Sequence, residues 1–162
     1  SITEIGLSRG MCYGPCPVYS LTLERAGHAR FVGEHFVDMM GDHVAVVDPV
    51  VFRHLAGAAV ALGFDRLERS YAVTWTDAQT TATWVRAGQV EIRVDDYGGA
   101  APKELRTFEE LIDSAAAALE WRRESEAVSS PSDGAPLFAG FDVAATWRPS
   151  ADETVHWTQC RR

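Results

Sequence analysis

Cys12 and Cys16, in "GMCYGPCPVYSLTL" (residues 10–23), are the residues whose type and spacing first suggest chemistry. Two cysteines this close can serve as a redox couple, as two legs of a metal site, or as a staple on a turn. A redox thiol needs its thiolate stabilised by a helix N-terminus or a nearby cation. Here Cys16 is followed by Pro17 and a strand pattern, three residues rather than two separate the pair, and Arg9 alone lies close enough in sequence to add positive charge. A structural disulfide fits better, because Gly14 and Pro15 let the chain reverse tightly and bring the sulfurs within reach. Reduced, the same pair would be two small, half-buried side chains. Metal binding is the sharper alternative: Cys12 and Cys16 completed by His156 and Cys160 of "HWTQC" would give three thiolates and an imidazole for tetrahedral zinc. That set requires the end of the chain to return to its first turn.

Other chemistry-bearing residues lack the setting their motifs need. "GLSRG" (residues 6–10) matches the serine-hydrolase elbow, but Ser8 should lead into a helix and instead precedes the cysteine turn. His28, His35, His43 and His54 show no metal-ligand spacing and read as surface histidines. Asp95 and Asp96 would point to opposite faces of a strand, which makes them a poor acid–base couple. They read instead as the strand end before Gly98-Gly99. "GGAAPKE" has neither P-loop nor dinucleotide spacing. The five tryptophans (Trp75, Trp84, Trp121, Trp147, Trp157) suit either a sheet–helix core or a binding surface, with the core as the default because aromatic rings dominate core burial.

The elements that must position these residues are readable from periodicity. "TEIGLSR" (residues 3–9) reads as a short first strand. From Val18, Tyr19, Leu21 and Leu23 alternate with Ser20, Thr22 and Glu24, and "RAGH" turns the chain into a return strand over Ala29 to His35. "HFVDMMGDHVAVV" continues extended, with a break at Gly41. Asp48-Pro49 starts a helix, Phe52, Leu55, Ala59 and Leu62 fall on one face of it, and Gly63 stops it. A second hairpin follows over Ala78 to Arg86 and Gln89 to Asp95, with Val90, Ile92 and Val94 inward. "YGGAAP" is a loop. The last helix carries Leu105, Phe108, Ile112, Ala115 and Leu119, and the Thr107/Glu110 capping pattern places its regular start at either Pro102 or Thr107. The expectation is an α+β fold: an antiparallel sheet of two hairpins with two helices on one face (β-β-α twice). Residues 1–124 would form one domain, 125–137 a Ser/Pro/Gly-rich linker, and 138–162 a C-terminal hairpin or tail.

The chain's 162 residues suffice for one core, with 46% apolar and 23% charged residues. A net charge of −8 and a single lysine, Lys103, argue against nucleic acid as a partner. No apolar run approaches a membrane span. The chain opens at Ser1 without a leader, so any signal peptide is expected to have been removed or never present.

"CYGPCPVYSLTL" also resembles the signature of a bacterial family of small domains of unknown function: cysteine, aromatic, glycine, any residue, cysteine, proline, any residue, tyrosine. The resemblance runs through "VTWTDAQTTATWVRAGQVEIRVDDYGGAAPKEL" and covers roughly residues 3–122. Cys12, Cys16, Tyr19, Asp77 and Tyr97 match its motif positions. The Tyr97–Pro102 loop carries extra small residues, and the tail after Ser125 lies outside the resemblance. It implies an uncharacterised domain with no catalytic residues, strengthens the disulfide reading, and favours an exported or periplasmic setting because many relatives look exported or lipid-anchored. The reading is therefore a non-enzymatic binding or interaction module without a cofactor. It would take an unknown protein or small-molecule ligand on the exposed sheet face or on the loops around Cys12–Pro17 and Asp96–Pro102. The alternative is a thiol-redox or zinc protein acting through Cys12 and Cys16.

Overall fold

The computed structural model describes residues 1–125. Eight strands and two helices follow in the order β1 (Ile2–Arg9), β2 (Val18–Glu24), β3 (His28–His35), β4 (Gly41–Val46), α1 (Pro49–Leu62), β5 (Ser70–Ala72), β6 (Thr80–Ala87), β7 (Val90–Tyr97), α2 (Lys103–Ala117) and β8 (Arg122–Arg123). One 3-10 turn, Phe64–Arg66, follows α1. The class is mixed α+β, and the sheet is mostly antiparallel, in the order β5-β7-β6-β1-β2-β3-β4-β8, with only β5 parallel to its neighbour.

The sheet is wider than two hairpins, and the reason lies in the first strand. β1 pairs with β2 along one edge and β6 along the other, so it sits between the two ribbons and joins them. β4 extends the sheet beyond β3, and the short β5 and β8 flank its edges. Ile5, Leu7, Leu21, Leu23 and Phe31 face one side and enter a single core with Phe52, Leu55 and Ala59 of α1 and Leu105, Phe108 and Ile112 of α2. Phe64 and Phe108 pack edge to face across it, with ring centroids 6.0 Å apart.

Local signals explain the helix ends. The Asp48 side chain accepts a 2.7 Å bond from the Val50 amide, Pro49 occupies the first turn, and Gly63 closes α1 in the left-handed conformation. α2 starts at Lys103, so the Thr107/Glu110 pattern is not a cap. Ile92 and Val94 point toward the core as expected, but Val90 lies at the strand's far end, exposed beyond the helices' cover. His43, expected at the surface, is instead buried, edge-on to Phe31, because its register position directly opposes that ring.

The opposite face of the sheet is shielded differently. The Trp84 indole lies over Gly6, where a Cβ would meet the ring at 2.0 Å. Its N–H donates to Glu4, and Arg93 stacks 5.6 Å from the ring. Arg86 bridges Glu4 and Glu91 on the same face. Among the described residues no helix is long and apolar enough to cross a membrane. Beyond Ser125, the expected linker and C-terminal hairpin lie outside the described residues.

Candidate functional site

At one end of the core face the sheet changes character. Register places Tyr19, Arg9, Thr81 and Asp96 side by side on β2, β1, β6 and β7. The next row inward is Leu21, Leu7, Thr83 and Val94. A polar row therefore caps an apolar one, and α2 answers it in kind. Its buried stripe runs Leu105, Phe108, Glu109, Ile112, Asp113, Ala116, so two carboxylates four residues apart face the strands.

These groups interlock. Arg9 donates to Asp113 Oδ2 at 2.9 Å, to the Tyr19 oxygen at 3.0 Å and to Thr81 Oγ1 at 3.0 Å. The Tyr19 hydroxyl in turn donates to Asp113 Oδ1 at 2.8 Å. Burial opposes the Arg9 charge, but Tyr19 and Asp113 outweigh it and hold the guanidinium's pKa above its ordinary range. Burial, then the Asp113 charge, pushes the Tyr19 phenol up as well, so it stays a donor. Beside this cluster, Thr83 donates to Glu109 Oε1 at 3.0 Å. Burial raises the Glu109 carboxyl to about 7, with Asp96 and Asp113 adding to the shift against Thr83 and Arg9. Asp96, 2% exposed, accepts the Ala101 amide at 3.0 Å.

Above the polar row opens a cleft of about 530 Å³. Buried Thr81, Asp96, Glu109 and Asp113 form its floor, together with half-buried Arg9. Its walls are three loops. Cys16 and Pro17 come from the cysteine turn, Ala78 and Gln79 from the segment before β6, and Gly98 and Gly99 from the loop after β7. Both of those glycines have φ +78°, and a Cβ at Gly98 would meet Val73 at 2.3 Å, so glycine lets this loop fold against its neighbour. Trp75, 63% exposed, stands at the lip with Arg106 and Glu110 of α2.

Of the site residues singled out from sequence, Cys16 lines the cleft, and Cys12, Asp77 and Tyr97 bond to the segments that form its walls. Cys12 and Cys16 are joined in a disulfide, with Cα atoms 5.8 Å apart. Gln79 clamps the turn they close, donating to the Gly10 and Pro17 carbonyls at 2.8 and 2.9 Å. Asp77, at φ 63°, offers its carbonyl to the Tyr13 amide. The Tyr97 hydroxyl accepts the Ala78 amide. Tyr19 lies in the floor cluster. Asp95 and Asp96 do diverge, Asp95 outward to Arg93 and Asp96 into the cleft, but strand β7 runs on through Tyr97 rather than ending at the pair. Ser8 is an ordinary strand residue between Ser20 and Ala82. His156 and Cys160 lie outside the described residues, and within them no group of three His, Cys, Asp or Glu is placed to hold a metal ion.

Sequence reasoning missed Glu109 and Asp113. Their signal was present: at 105, 109, 112, 113 and 116 the acids share the spacing of the apolar stripe. A family model described as Domain of unknown function (DUF6438) matches residues 3–116, and no curated protein matches the chain.

Proposed function

The chain belongs to this DUF6438 family of domains of unknown function, and we propose that it is a non-enzymatic binding module whose ligand is a small polar molecule seated in the cleft. The supporting observation is the burial of five polar side chains on the core face beneath an open cleft, where apolar residues would stabilise the fold more simply. Buried charge that is only partly repaid by structure is a common mark of a site used for recognition. The two loops expected to bind, around Cys12–Pro17 and Asp96–Pro102, meet at this same cleft.

The exposed sheet face is a weaker candidate. Its Trp84 is covered by Arg93 and bonded to Glu4, and its charges are paired across strands. A groove of about 680 Å³ beside α1 is lined by Pro49, Phe52, Ala56 and Val60 and has no buried charge in its lining. At and beneath the cleft floor the hydroxyls of Thr81, Tyr19 and Thr83 are each tied to a neighbouring charged group, which suits a rigid receptor.

The test is a screen of small polar fragments read by amide and indole NMR shifts. Binding should move Ala101, Gln79 and the Trp75 indole together. Shifts confined to Trp84 and Arg93, or no saturable shift at all, would overturn the reading. Turnover of a bound fragment that stops in Glu109→Gln would overturn its non-enzymatic half.

A further inference from the structure

We propose that the ligand of this cleft carries a cationic nitrogen, an alkylammonium or guanidinium group, which seats between Glu109 and Asp96. This deepens the binding reading above and rests on it.

Both carboxylates are more than nine-tenths buried and both line the cleft. Each has one oxygen occupied: Glu109 Oε1 by Thr83 and Asp96 Oδ1 by the Ala101 amide. The second oxygens, Glu109 Oε2 and Asp96 Oδ2, receive no hydrogen bond among the described residues. A buried carboxylate oxygen without a donor is costly, and the natural complement is a charged N–H donor.

The floor cation, Arg9, favours the Glu109 charge from a distance but donates no hydrogen bond to either second oxygen. Arg9 gives its hydrogen bonds to Tyr19, Thr81 and Asp113, and none to Glu109 or Asp96. Asp96 and Asp113 both act against the Glu109 charge, with Arg9 opposing them from within the cluster. An incoming cation relieves both the repulsion and the missing donors, whereas an anion aggravates both and a neutral group relieves neither fully. At the lip, Trp75 offers an exposed aromatic face over which such a cation or its alkyl stem can lie. The three carboxylates do not form a metal-ligand group, which favours an organic cation over a bare metal ion.

A matched set of four probes tests the inference: n-butylamine, butylguanidine, n-butanol and butyrate, titrated into the intact chain at pH 8 with the Ala101 amide and Trp75 indole as readouts. The two cations should saturate with dissociation constants in the millimolar range, and the alcohol and the carboxylate should bind more than about tenfold more weakly. Glu109→Gln and Asp96→Asn each keep the acceptor for Thr83 or Ala101 and should each weaken the cations by about tenfold or more. Cation binding should also tighten as pH rises through about 7, where Glu109 gives up its proton among Arg9, Asp96, Asp113 and the rim groups Arg106 and Glu110.

Butyrate or butanol binding as well as the amines would overturn the charge assignment and leave the cleft reading standing. Cation binding that is indifferent to both variants would place the nitrogen elsewhere and overturn it too. No saturable binding by any of the four would overturn the assignment as well; the broader reading falls only if the fragment screen also finds nothing there.

Discussion

Asp113 carries more than its share of one helix face. Its side chain is 1% exposed and neutralises Arg9, itself 18% exposed, while accepting the buried Tyr19 hydroxyl. Removing the carboxylate leaves a partly buried guanidinium and a phenol short of their partner. Asp113→Ala should therefore destabilise the fold by about 3 kcal/mol, the lower end for a broken buried pair because Arg9 keeps some access to water. The triple variant Arg9→Met, Tyr19→Phe, Asp113→Leu removes the unpaired groups together and should unfold at higher urea than Asp113→Ala alone. If it does not, the cluster contributes net stability rather than merely tolerating its own burial. Glu109 predicts a pH dependence of opposite origin to an ordinary ion pair. Its folded pKa of about 7 lies above the unfolded carboxyl value, so between about pH 4.5 and 7 the folded state holds the extra proton. Stability from this group is full below that window and is lost as pH rises through 7, on the order of 3 kcal/mol in all. Urea titrations across the window should show the loss, and Glu109→Gln should flatten it. These two acids were the hardest residues to read from sequence. Acids on a helix ordinarily mark its solvent side, and only the register that sets Arg9 and Thr83 opposite them turns that rule over. Cys12, Cys16 and Tyr19 were legible because their types are conspicuous in a local motif. Their neighbours in the cleft come from segments about 60 to 100 residues away.

Among the elements, the cysteine turn has the clearest mechanical role. It leaves β1 and enters β2, is held by Gln79 at both ends, and forms one wall of the cleft. The disulfide closes a very small loop, so its chain-entropy contribution is about 2 kcal/mol. Reduction and alkylation should lower thermal stability by several degrees while the β3–β4 and β6–β7 amides keep their exchange protection. A loss of protection throughout the sheet on reduction would mean that the turn nucleates the fold rather than staples it. The helices were readable because their determinants are local. Asp48, Pro49 and Gly63 lie within or beside α1 and act on backbone groups a few residues away. The width of the sheet was not readable for the converse reason. Nothing in "TEIGLSR" says that it will pair on both edges, since that depends on β6, about 80 residues later. β5 and β8 are three- and two-residue strands, too short to leave a periodic trace.

For the whole molecule the question is where the cooperative unit ends. The family match stops at residue 116, one residue before the end of α2. The core does not stop there. Trp121 is 3% exposed, its ring centroid lies 5.9 Å from that of Phe31, and its N–H donates to the Ala116 carbonyl at 2.9 Å. β8 then adds to β4, and Glu124 reaches across to Arg30 at 2.8 Å. The exposed Arg30–Glu124 pair contributes little, as surface pairs generally do. Trp121 is different, because it fills the space beside Phe31 at the end of the sheet remote from β7. Trp121→Ala should cost about 3–5 kcal/mol, the range for emptying a buried aromatic site. A chain ending at Ala116 should be destabilised by at least as much, whereas Glu124→Ala should change stability by less than about 1 kcal/mol. Equilibrium urea unfolding of the three variants against the intact chain separates the possibilities. Equal stability of the chain ending at Ala116 and the intact chain would show that the folding unit coincides with the family match and that Trp121 only covers its end.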